Sequence, residues 1–248
     1  MLAEERFSRI LSIIEAEGSA TIQELMTALD ASESTVRRDL ITMDENGLLT
    51  KVHGGAIARP SVSTHDEDVR NRKTMNAEQK NAIAKYAASL IRPDDFVYLD
   101  AGTSTEAMIP FIKETQAVFV TNAISHAKLL AEKGCRVYLL GGEFKSQTEA
   151  IVGEEAMEML SKYNFTKGFW GTNGISVSKG YSTPEIKEAM VKKYSMKNCK
   201  RCYILADASK FDQLSSVKFA DFEQATILTT ELYKPALKKY KNIVEVKE

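Results

Sequence analysis

The chain lacks long apolar segments and is poor in the residues that form disulfide frameworks and metal sites. Its 248 residues include three cysteines, three histidines and one tryptophan. No apolar run approaches the roughly 18 residues that a membrane-spanning helix requires, and the N-terminus does not have the pattern of a signal peptide. We therefore expect a soluble, cytoplasmic protein that contacts no membrane and holds neither a cofactor nor a metal.

The cysteines Cys135, Cys199 and Cys202 are odd in number in a long chain, which argues against a disulfide framework. Cys199 and Cys202 form a C-x-x-C pair, for which a zinc or redox role is one interpretation. No second pair and no nearby histidine completes a zinc site. The alternative, which we favour, is two incidental thiols at a junction between a helix and a strand.

Positive charge is not in excess either. The chain has a net charge of −1, and residues 1–59 carry six basic against ten acidic side chains, a balance of −4. A protein that held nucleic acid by bulk charge would be basic. Four of the six basic residues lie within residues 37–59, so any nucleic-acid contact must rely on that local cluster.

Residues 21–55 carry the clearest local pattern, TIQELMTALDASESTVRRDLITMDENGLLTKVHGG. Thr21 and Glu24 predict a capping box, followed by apolar residues at helical spacing. Ser32 predicts the cap of a second helix after a tight turn, and Asn46-Gly47 predicts its end. The residues that follow predict a β-hairpin wing.

Two short helices joined by a tight turn match a helix-turn-helix DNA reader. The alternative is an amphipathic helical pair whose arginines are merely solvated. The wing and an upstream apolar stripe over residues 7–14 favour the DNA reader, because together they complete a three-helix core. We expect DNA contacts from the start of the second helix and from the wing, at Ser34, Thr35, Arg37, Arg38, Lys51 and His53.

Residues 77–248 alternate between short apolar strands and helices, which predicts an α/β domain with a mainly parallel sheet. Residues 58–76 are polar and charged without a sustained apolar period, which predicts a linker. This linker would join the α/β domain to a winged helix-turn-helix domain at residues 1–57. The length of the chain also exceeds one average domain.

Polar residues follow five of the predicted strands, at the edge where parallel sheets bind ligands. Residues 102–105 place a glycine and three hydroxyls at a helix start, where backbone N–H groups can hold a phosphate. Ordinary turn chemistry explains any one cluster, but five together favour a polar small-molecule site. The candidates are Asp100, Gly102, Thr103, Ser104, Thr105, Asn122, Gly141, Gly142, Asn173, Asp207 and Lys210.

The runs SESTVRRDL and LLTKVHGGA resemble the N-terminal signature of the DeoR family of bacterial transcription regulators. LDAGTST, TNA, LLGG, AIVG, GTNGI, GYSTPE and LADASKF resemble that family's effector domain, whose fold is similar to ribose-5-phosphate isomerase. The resemblance implies a phosphorylated sugar as effector, with its phosphate at residues 102–105 and Lys192 or Lys210 helping to neutralise it. Among members, the motifs are most similar to fructose operon repressors of Gram-positive bacteria, which implies fructose-1-phosphate.

An enzyme is the rival interpretation. Aldose–ketose isomerisation needs a carboxylate base and acidic partners, and the isomerases carry an acid-rich loop where residues 170–174 of this chain hold no carboxylate. Glu185 and Lys179 are the nearest candidates for base and acid. Contacts with sugar hydroxyls, or simple surface charge, explain them better. His126 is expected at a helix surface.

We therefore predict a repressor of a sugar-utilisation operon, without enzymatic activity. It should bind double-stranded operator DNA as a homo-oligomer, a dimer or tetramer, and respond to a sugar phosphate. The alternatives are a sugar-phosphate isomerase-like enzyme with a regulatory DNA-binding head and, with little support, a scaffold that does not bind nucleic acid. The operator, the oligomeric state and the direction of the effector response stay open.

Overall fold

A computed structural model of the protein describes residues 3–46, 48–58, 62–63, 69–230, 232 and 235–246. The chain divides into two compact units, Met1–Ser61 and Val62–Glu248. No helix among the described residues is long and apolar enough to cross a membrane.

The first unit consists of three helices and a small antiparallel sheet with the strand order β1-β3-β2. In chain order its elements are α1 (Ala3–Glu17), β1 (Ser19–Thr21), α2 (Ile22–Leu29), α3 (Glu33–Glu45), β2 (Leu49–Val52) and β3 (Gly55–Ala58). This is a winged helix-turn-helix, and the three-helix core and wing expected from the sequence are confirmed.

The expected caps set the helix boundaries of this unit. The Thr21 backbone N–H donates to Glu24 Oε2 at 2.7 Å, and the Glu24 N–H donates back to Thr21 Oγ1 at 3.2 Å. Asp30 ends the helix in the left-handed region with φ 48°, and Ser32 caps the next helix. Gly47, expected to help end α3, lies outside the described residues.

The second unit is built on a seven-stranded parallel sheet with the order β17-β16-β13-β10-β5-β6-β7. These strands are β5 (Phe96–Leu99), β6 (Val118–Thr121), β7 (Arg136–Leu139), β10 (Lys167–Gly171), β13 (Cys202–Leu205), β16 (Thr226–Thr229) and β17 (Ile243–Glu245). The helices are α4 (Val69–Thr74), α5 (Ala77–Ser89), α6 (Thr103–Glu106), α7 (Ile124–Glu132), α8 (Glu154–Ser161) and α9 (Ile186–Lys197). The predicted parallel α/β architecture is confirmed.

Short strands flank this sheet and were not expected from the sequence. A three-stranded antiparallel sheet has the order β11-β12-β15, β8 pairs with β9, and β14 pairs with β4. Their bounds are β4 (Val62–Ser63), β8 (Glu143–Lys145), β9 (Ala150–Val152), β11 (Gly174–Ser176), β12 (Gly180–Thr183), β14 (Leu214–Ser215) and β15 (Val217–Ala220). These strands are short and most of them contain polar residues or glycine, so they do not form the apolar runs by which the central strands were recognised.

Apolar side chains cover both faces of the central sheet. Trp170 and Tyr98 are fully buried on one face, and Phe169 and Phe119 are fully buried on the other. This alternation within single strands is the burial pattern of a parallel sheet covered on both sides.

Two elements of the second unit lie within the expected linker, residues 58–76. β4 and α4 belong to the second unit, and Val69 is buried with its N–H 3.4 Å from the Gln147 carbonyl oxygen. The helix VRNRKT is too short and too charged to give an apolar period, so its sequence resembles a linker. Residues 59–61 and 64–68 lie outside the described residues.

Candidate functional site

Helix α3 presents the expected DNA-contacting side chains at its first two turns. Arg37 and Arg38 are exposed, and Arg37 forms an ion pair with Glu33 at 2.7 Å. Arg38 has no hydrogen-bond or ion-pair partner among the described residues. Ser34 and Thr35 contact the Ser32 hydroxyl at 3.0 and 2.9 Å, so these two hydroxyls also stabilise the helix cap.

The orientation of α3 depends on a contact that the sequence did not indicate. Arg6 on α1 donates to both oxygens of Asp39 on α3, at 2.6 and 2.9 Å, and Asp39 is 5% exposed. Such a two-point contact fixes direction as well as distance. Asp39 is therefore an internal partner and not a surface charge that would repel DNA.

Lys51 and His53 are exposed on the wing, as expected for side chains that contact the DNA backbone. The Lys51 backbone N–H donates to Asp44 Oδ1 at 3.3 Å, which ties the wing to the end of α3. Helix and wing thus form one connected element of the first unit.

A polar cleft lies in the second unit at the carboxyl ends of β5, β10 and β13, which are neighbours in the sheet. It encloses about 630 Å³, open solvent included. Seven predicted residues line it: Gly102, Thr103, Ser104, Asn173, Lys192, Asp207 and Lys210. Nine further residues line it: Arg72, Met75, Asn76, Lys80, Ala101, Thr148, Gly171, Thr172 and Glu188.

Asp100 lies beneath the cleft rather than in it. Lys192 donates to its carboxylate, and the two side chains form a buried ion pair. Lys192 also donates to the Gly171 carbonyl oxygen at 3.2 Å. Burial raises the pKa of Asp100, and the charge of Lys192 opposes that rise. The charge of Lys192 is thus already matched within the protein.

Glu188 supplies a carboxylate to the cleft wall. It accepts hydrogen bonds from Thr148 and, at 3.0 Å, from Lys145. Burial alone would raise its pKa, but Lys192, Thr148 and Lys145 together lower it. Glu188 is therefore an ionised acceptor with a fixed position.

Glu185, the predicted acidic residue, has a different role. Its carboxylate caps α9 by accepting the backbone N–H groups of Lys187 and Glu188, both at 2.9 Å. Glu185 is not among the lining residues. A carboxylate near the start of a predicted helix has the same sequence signature whether it caps that helix or faces a ligand.

Three further predicted ligand contacts are internal to the protein. Thr105 is fully buried and its hydroxyl donates to the Asp100 carbonyl oxygen at 2.7 Å. Asn122 is buried and accepts from Tyr98 at 3.1 Å and from the Ala101 N–H at 2.8 Å. Gly142 packs so closely that a Cβ atom there would lie 2.5 Å from the Val152 carbonyl oxygen. Its neighbour Gly141 likewise does not line the cleft.

The basic wall of the cleft comes partly from the segment expected to be a linker, which contains Arg72, and partly from Lys80 beyond it. Arg72 on α4 and Lys80 on α5 both line the cleft, and Lys80 donates to the Arg72 carbonyl oxygen. Asn76 donates to Asp207 Oδ1 at 3.1 Å, which ties this segment to the end of β13. The charged run VRNRKTMN, which contains Arg72, is the sequence signal available for this wall.

His126 is buried, and the expectation of a surface position is wrong. It is 1% exposed and lies with Leu130 on the inner face of α7. Burial lowers its pKa to about 4, although the neighbouring Glu106 carboxylate and the Gly102 backbone oppose the shift. It is therefore a neutral side chain behind the loop at residues 102–105.

Comparisons with known proteins agree with this architecture. The profile of the DeoR-like helix-turn-helix domain matches residues 6–62, and that of the DeoR C-terminal sensor domain matches residues 75–232. The chain is 42% identical to the uncharacterized HTH-type transcriptional regulator FruR of Bacillus subtilis (strain 168), over 100% of this chain and 98% of the relative. It is 33% identical to the lactose phosphotransferase system repressor of Staphylococcus aureus (strain NCTC 8325 / PS 47), over 92% and 91%.

Among solved structures, ribose 5-phosphate isomerase A from Methanocaldococcus jannaschii aligns with 55% of this chain and 55% of its own, at 15% identity and a TM-score of 0.42. That likeness is too slight to bear on function. The family profiles cover both units, and the first relative spans the whole chain. The protein therefore belongs to the DeoR family of helix-turn-helix transcription regulators, as its motifs predict.

Proposed function

We propose that the protein represses a sugar-utilisation operon, and that a phosphorylated sugar in the cleft controls its binding to operator DNA. The observation that carries the proposal is the polarity of the cleft. Arg72, Lys80 and Lys210 supply positive charge, while Glu188 supplies an ionised acceptor. A ligand that suits this distribution carries an anionic group and hydroxyl donors in one molecule.

The phosphate is assigned to the loop at Gly102, Thr103 and Ser104. These residues are half-buried at the cleft wall and begin α6, a single turn whose first backbone N–H groups, as at any helix start, are not used within the helix. Thr105 supports the loop from beneath through its two hydrogen bonds to backbone carbonyl oxygens. Arg72 and Lys210 then complete the neutralisation, because the charge of Lys192 is matched by Asp100.

The sugar hydroxyls are assigned to Asn173, Asp207 and Glu188. Each is held by the protein: Asn173 accepts from Thr183 at 3.1 Å, Asp207 from Asn76, and Glu188 from Thr148. Groups that are fixed before the ligand arrives lose little freedom on binding it. We favour fructose-1-phosphate as the ligand for two reasons. One is the name of the FruR relative and its sequence identity to this chain, and the other is the similarity of the motifs to those of fructose operon repressors.

The DNA assignment rests on Arg37, Arg38, Lys51 and His53, with Ser34 and Thr35 close to the groove. Helix-turn-helix proteins bind two-fold sites as dimers, which supports a dimer or tetramer. Two copies would also double the local positive patch on a unit whose overall charge is acidic.

Control of DNA binding requires that the effector bind one arrangement of the protein more tightly than another. The cleft cations Arg72 and Lys80 belong to α4 and α5, the first two helices along the chain after β3. An anion bound by Arg72 and Lys80 would restrain α4 and α5 at the cleft wall. That restraint is the proposed source of the differential affinity.

The deciding experiment is a titration with three ligands. The operator is first selected from random-sequence DNA by binding to the full-length protein. Fructose-1-phosphate should then change operator affinity and raise the melting temperature of the protein. Fructose should do neither, because it has no anionic group for the cations of the cleft to bind. If fructose-6-phosphate acts and fructose-1-phosphate does not, the effector assignment is wrong but the phosphate assignment stands.

The enzyme alternative is tested with the same preparation. Glu188 and Asp207 are carboxylates in the cleft, but both are held by protein donors in positions that suit ligand binding. We expect no turnover of ribose-5-phosphate or fructose phosphates. Turnover that Glu188→Gln abolishes would establish the isomerase instead.

A further inference from the structure

Cys199 and Cys202 form a motif that the proposed function leaves unused. Cys199 follows the end of α9, with its N–H donating to the Met196 carbonyl oxygen at 3.1 Å, and Cys202 opens β13. Both thiols are free and half-buried against the core of the second unit. The pair therefore spans the turn between the helix that carries Lys192 and the strand that leads to Asp207.

The backbone turns the two side chains toward one another. Cys199 Sγ donates to the Arg201 carbonyl oxygen at 3.3 Å, and Cys202 Sγ lies 3.6 Å from the Met196 carbonyl oxygen and 3.9 Å from that of Cys199, so both thiols lie in one tight turn. The interaction between the neighbouring thiols lowers the pKa of Cys202 and raises the pKa of Cys199. Cys202 is thus the thiol that more readily forms the thiolate, with Cys199 beside it in the turn.

The two thiols line a basic groove on the outside of α9. Lys193, Lys197, Lys200 and Lys218 line it, together with Met196, Phe219 and Asp221. Lys218 pairs with Asp221, whereas the other three lysines are exposed and have no ion-pair partner within the described part of the chain. The groove therefore attracts anions to the neighbourhood of the thiols.

We propose that Cys199 and Cys202 are a reversible oxidation site, which forms an intramolecular disulfide by exchange with a small anionic disulfide of the glutathione class. A metal is the weaker use of the pair, because no group of three or more His, Cys, Asp or Glu side chains in the described ranges could hold one. Cys135, which is 7% exposed and lies elsewhere in the fold, is not part of the site.

The exchange balances in two steps. The Cys202 thiolate attacks one sulfur of the small disulfide, which forms a mixed disulfide and releases one glutathione thiolate that takes up a proton. Cys199 then loses its proton and attacks the Cys202 sulfur, which releases the second glutathione. The protein is oxidised by two electrons, and the small disulfide is reduced to two thiols.

The test treats the full-length protein with glutathione disulfide. Free thiols should fall from three to one, the intact mass should fall by two hydrogens, and dithiothreitol should reverse both changes. In Cys199→Ser the second step is blocked, so a glutathione adduct should accumulate on Cys202. Wild-type protein that keeps all three thiols, or that holds a stable glutathione adduct without the internal disulfide, overturns the proposal.

The role of the groove is tested by the rate. At low salt the anionic glutathione disulfide should react roughly tenfold faster than the neutral bis(2-hydroxyethyl) disulfide, after correction for their reactivity with a free thiol. Lys197→Gln with Lys200→Gln should remove that preference, while Lys85→Gln on the exposed side of α5 should not. Equal rates for both reagents in the wild type would contradict recognition of an anion.

Discussion

Asp100 and Lys192 form an ion pair that is almost completely buried beneath the cleft, with 1% and 6% of their surfaces exposed. Asp100 follows β5, and Lys192 lies on α9, so the pair joins the segment before the proposed phosphate-binding loop to the helix that carries Glu188. Removing one charge from such a pair leaves the other unpaired and out of water.

We predict that Lys192→Met lowers the free energy of unfolding by about 3–5 kcal/mol, because the Asp100 carboxylate loses its partner. The double variant Asp100→Asn with Lys192→Met should recover most of that loss, since neither charge remains. Urea denaturation of the three proteins measures both effects. A Lys192→Met protein as stable as wild type would show that the pair contributes nothing.

The second prediction concerns α3. Arg38→Ala should weaken operator binding by roughly 1–3 kcal/mol and relax its sequence preference, because Arg38 is exposed and has no competing internal partner among the described residues. Arg37→Ala should cost less, since Arg37 must first release Glu33. Lys51→Ala should weaken all DNA sequences alike. Gel shifts at fixed salt compare the three, and unchanged affinity in both arginine variants would contradict the recognition-helix assignment.

The sequence predicted the first unit well because its signals are local. Thr21 with Glu24, and Ser32, act within one helical turn, so three or four residues suffice to recognise them. The contact between Arg6 and Asp39 joins residues 33 positions apart, and no pattern in either segment indicates it. Asp39 was therefore counted among the surface charges that oppose DNA binding.

For the cleft, the sequence predicted the strand ends but not all the walls. Gly102, Asn173 and Asp207 lie two or three residues after strand ends, and parallel strands bring their carboxyl ends together. Arg72 and Lys80 reach the cleft only because α4 and α5 fold over it, which depends on tertiary packing. The sequence indicates Glu185 as a candidate but not Glu188, because only the fold shows that Glu188 lines the cleft and that Glu185 caps α9.

The third prediction uses pH. The pKa of His126 is about 4 in the folded protein against 6.5 for an ordinary histidine. Between these two pH values the histidine is therefore protonated in the unfolded chain but neutral in the folded protein. The free energy of unfolding should therefore fall as the pH is lowered from about 6.5 to about 4, by up to about 3 kcal/mol from this group. Above that window the contribution is fully present.

His126→Gln is the variant that tests this origin, because glutamine does not titrate. Urea denaturation across the same pH window should give a shallower slope for His126→Gln than for the wild type. Equal slopes would place the acid sensitivity in other groups.

The fourth prediction compares the loss of a cation that lines the cleft with the loss of an exposed cation elsewhere. Arg72→Gln should weaken fructose-1-phosphate binding by roughly 1–3 kcal/mol, as loss of a charge-assisted hydrogen bond does. Lys85→Gln changes an exposed lysine on α5 that does not line the cleft and should leave binding unchanged. Calorimetric titration gives both affinities, and equal values for the two variants would remove Arg72 from the site.

The last prediction places a fixed charge in the loop to which we assign the phosphate, residues 102–104. Ser104 is half-buried at the cleft wall, at the start of α6. Ser104→Glu would put a carboxylate where the phosphate is assigned, so that like charges repel and the N–H groups are already occupied. Ser104→Gln has nearly the same volume without the charge and serves as the matched control.

Operator binding without effector should be the same in both variants, because α3 and the wing belong to the other unit. Titration of the operator complex with fructose-1-phosphate should then show a response that Ser104→Glu abolishes and Ser104→Gln only weakens. If Ser104→Glu responds like the wild type, the phosphate lies elsewhere in the cleft; if both variants fail equally, bulk rather than charge at residue 104 is what the ligand cannot tolerate.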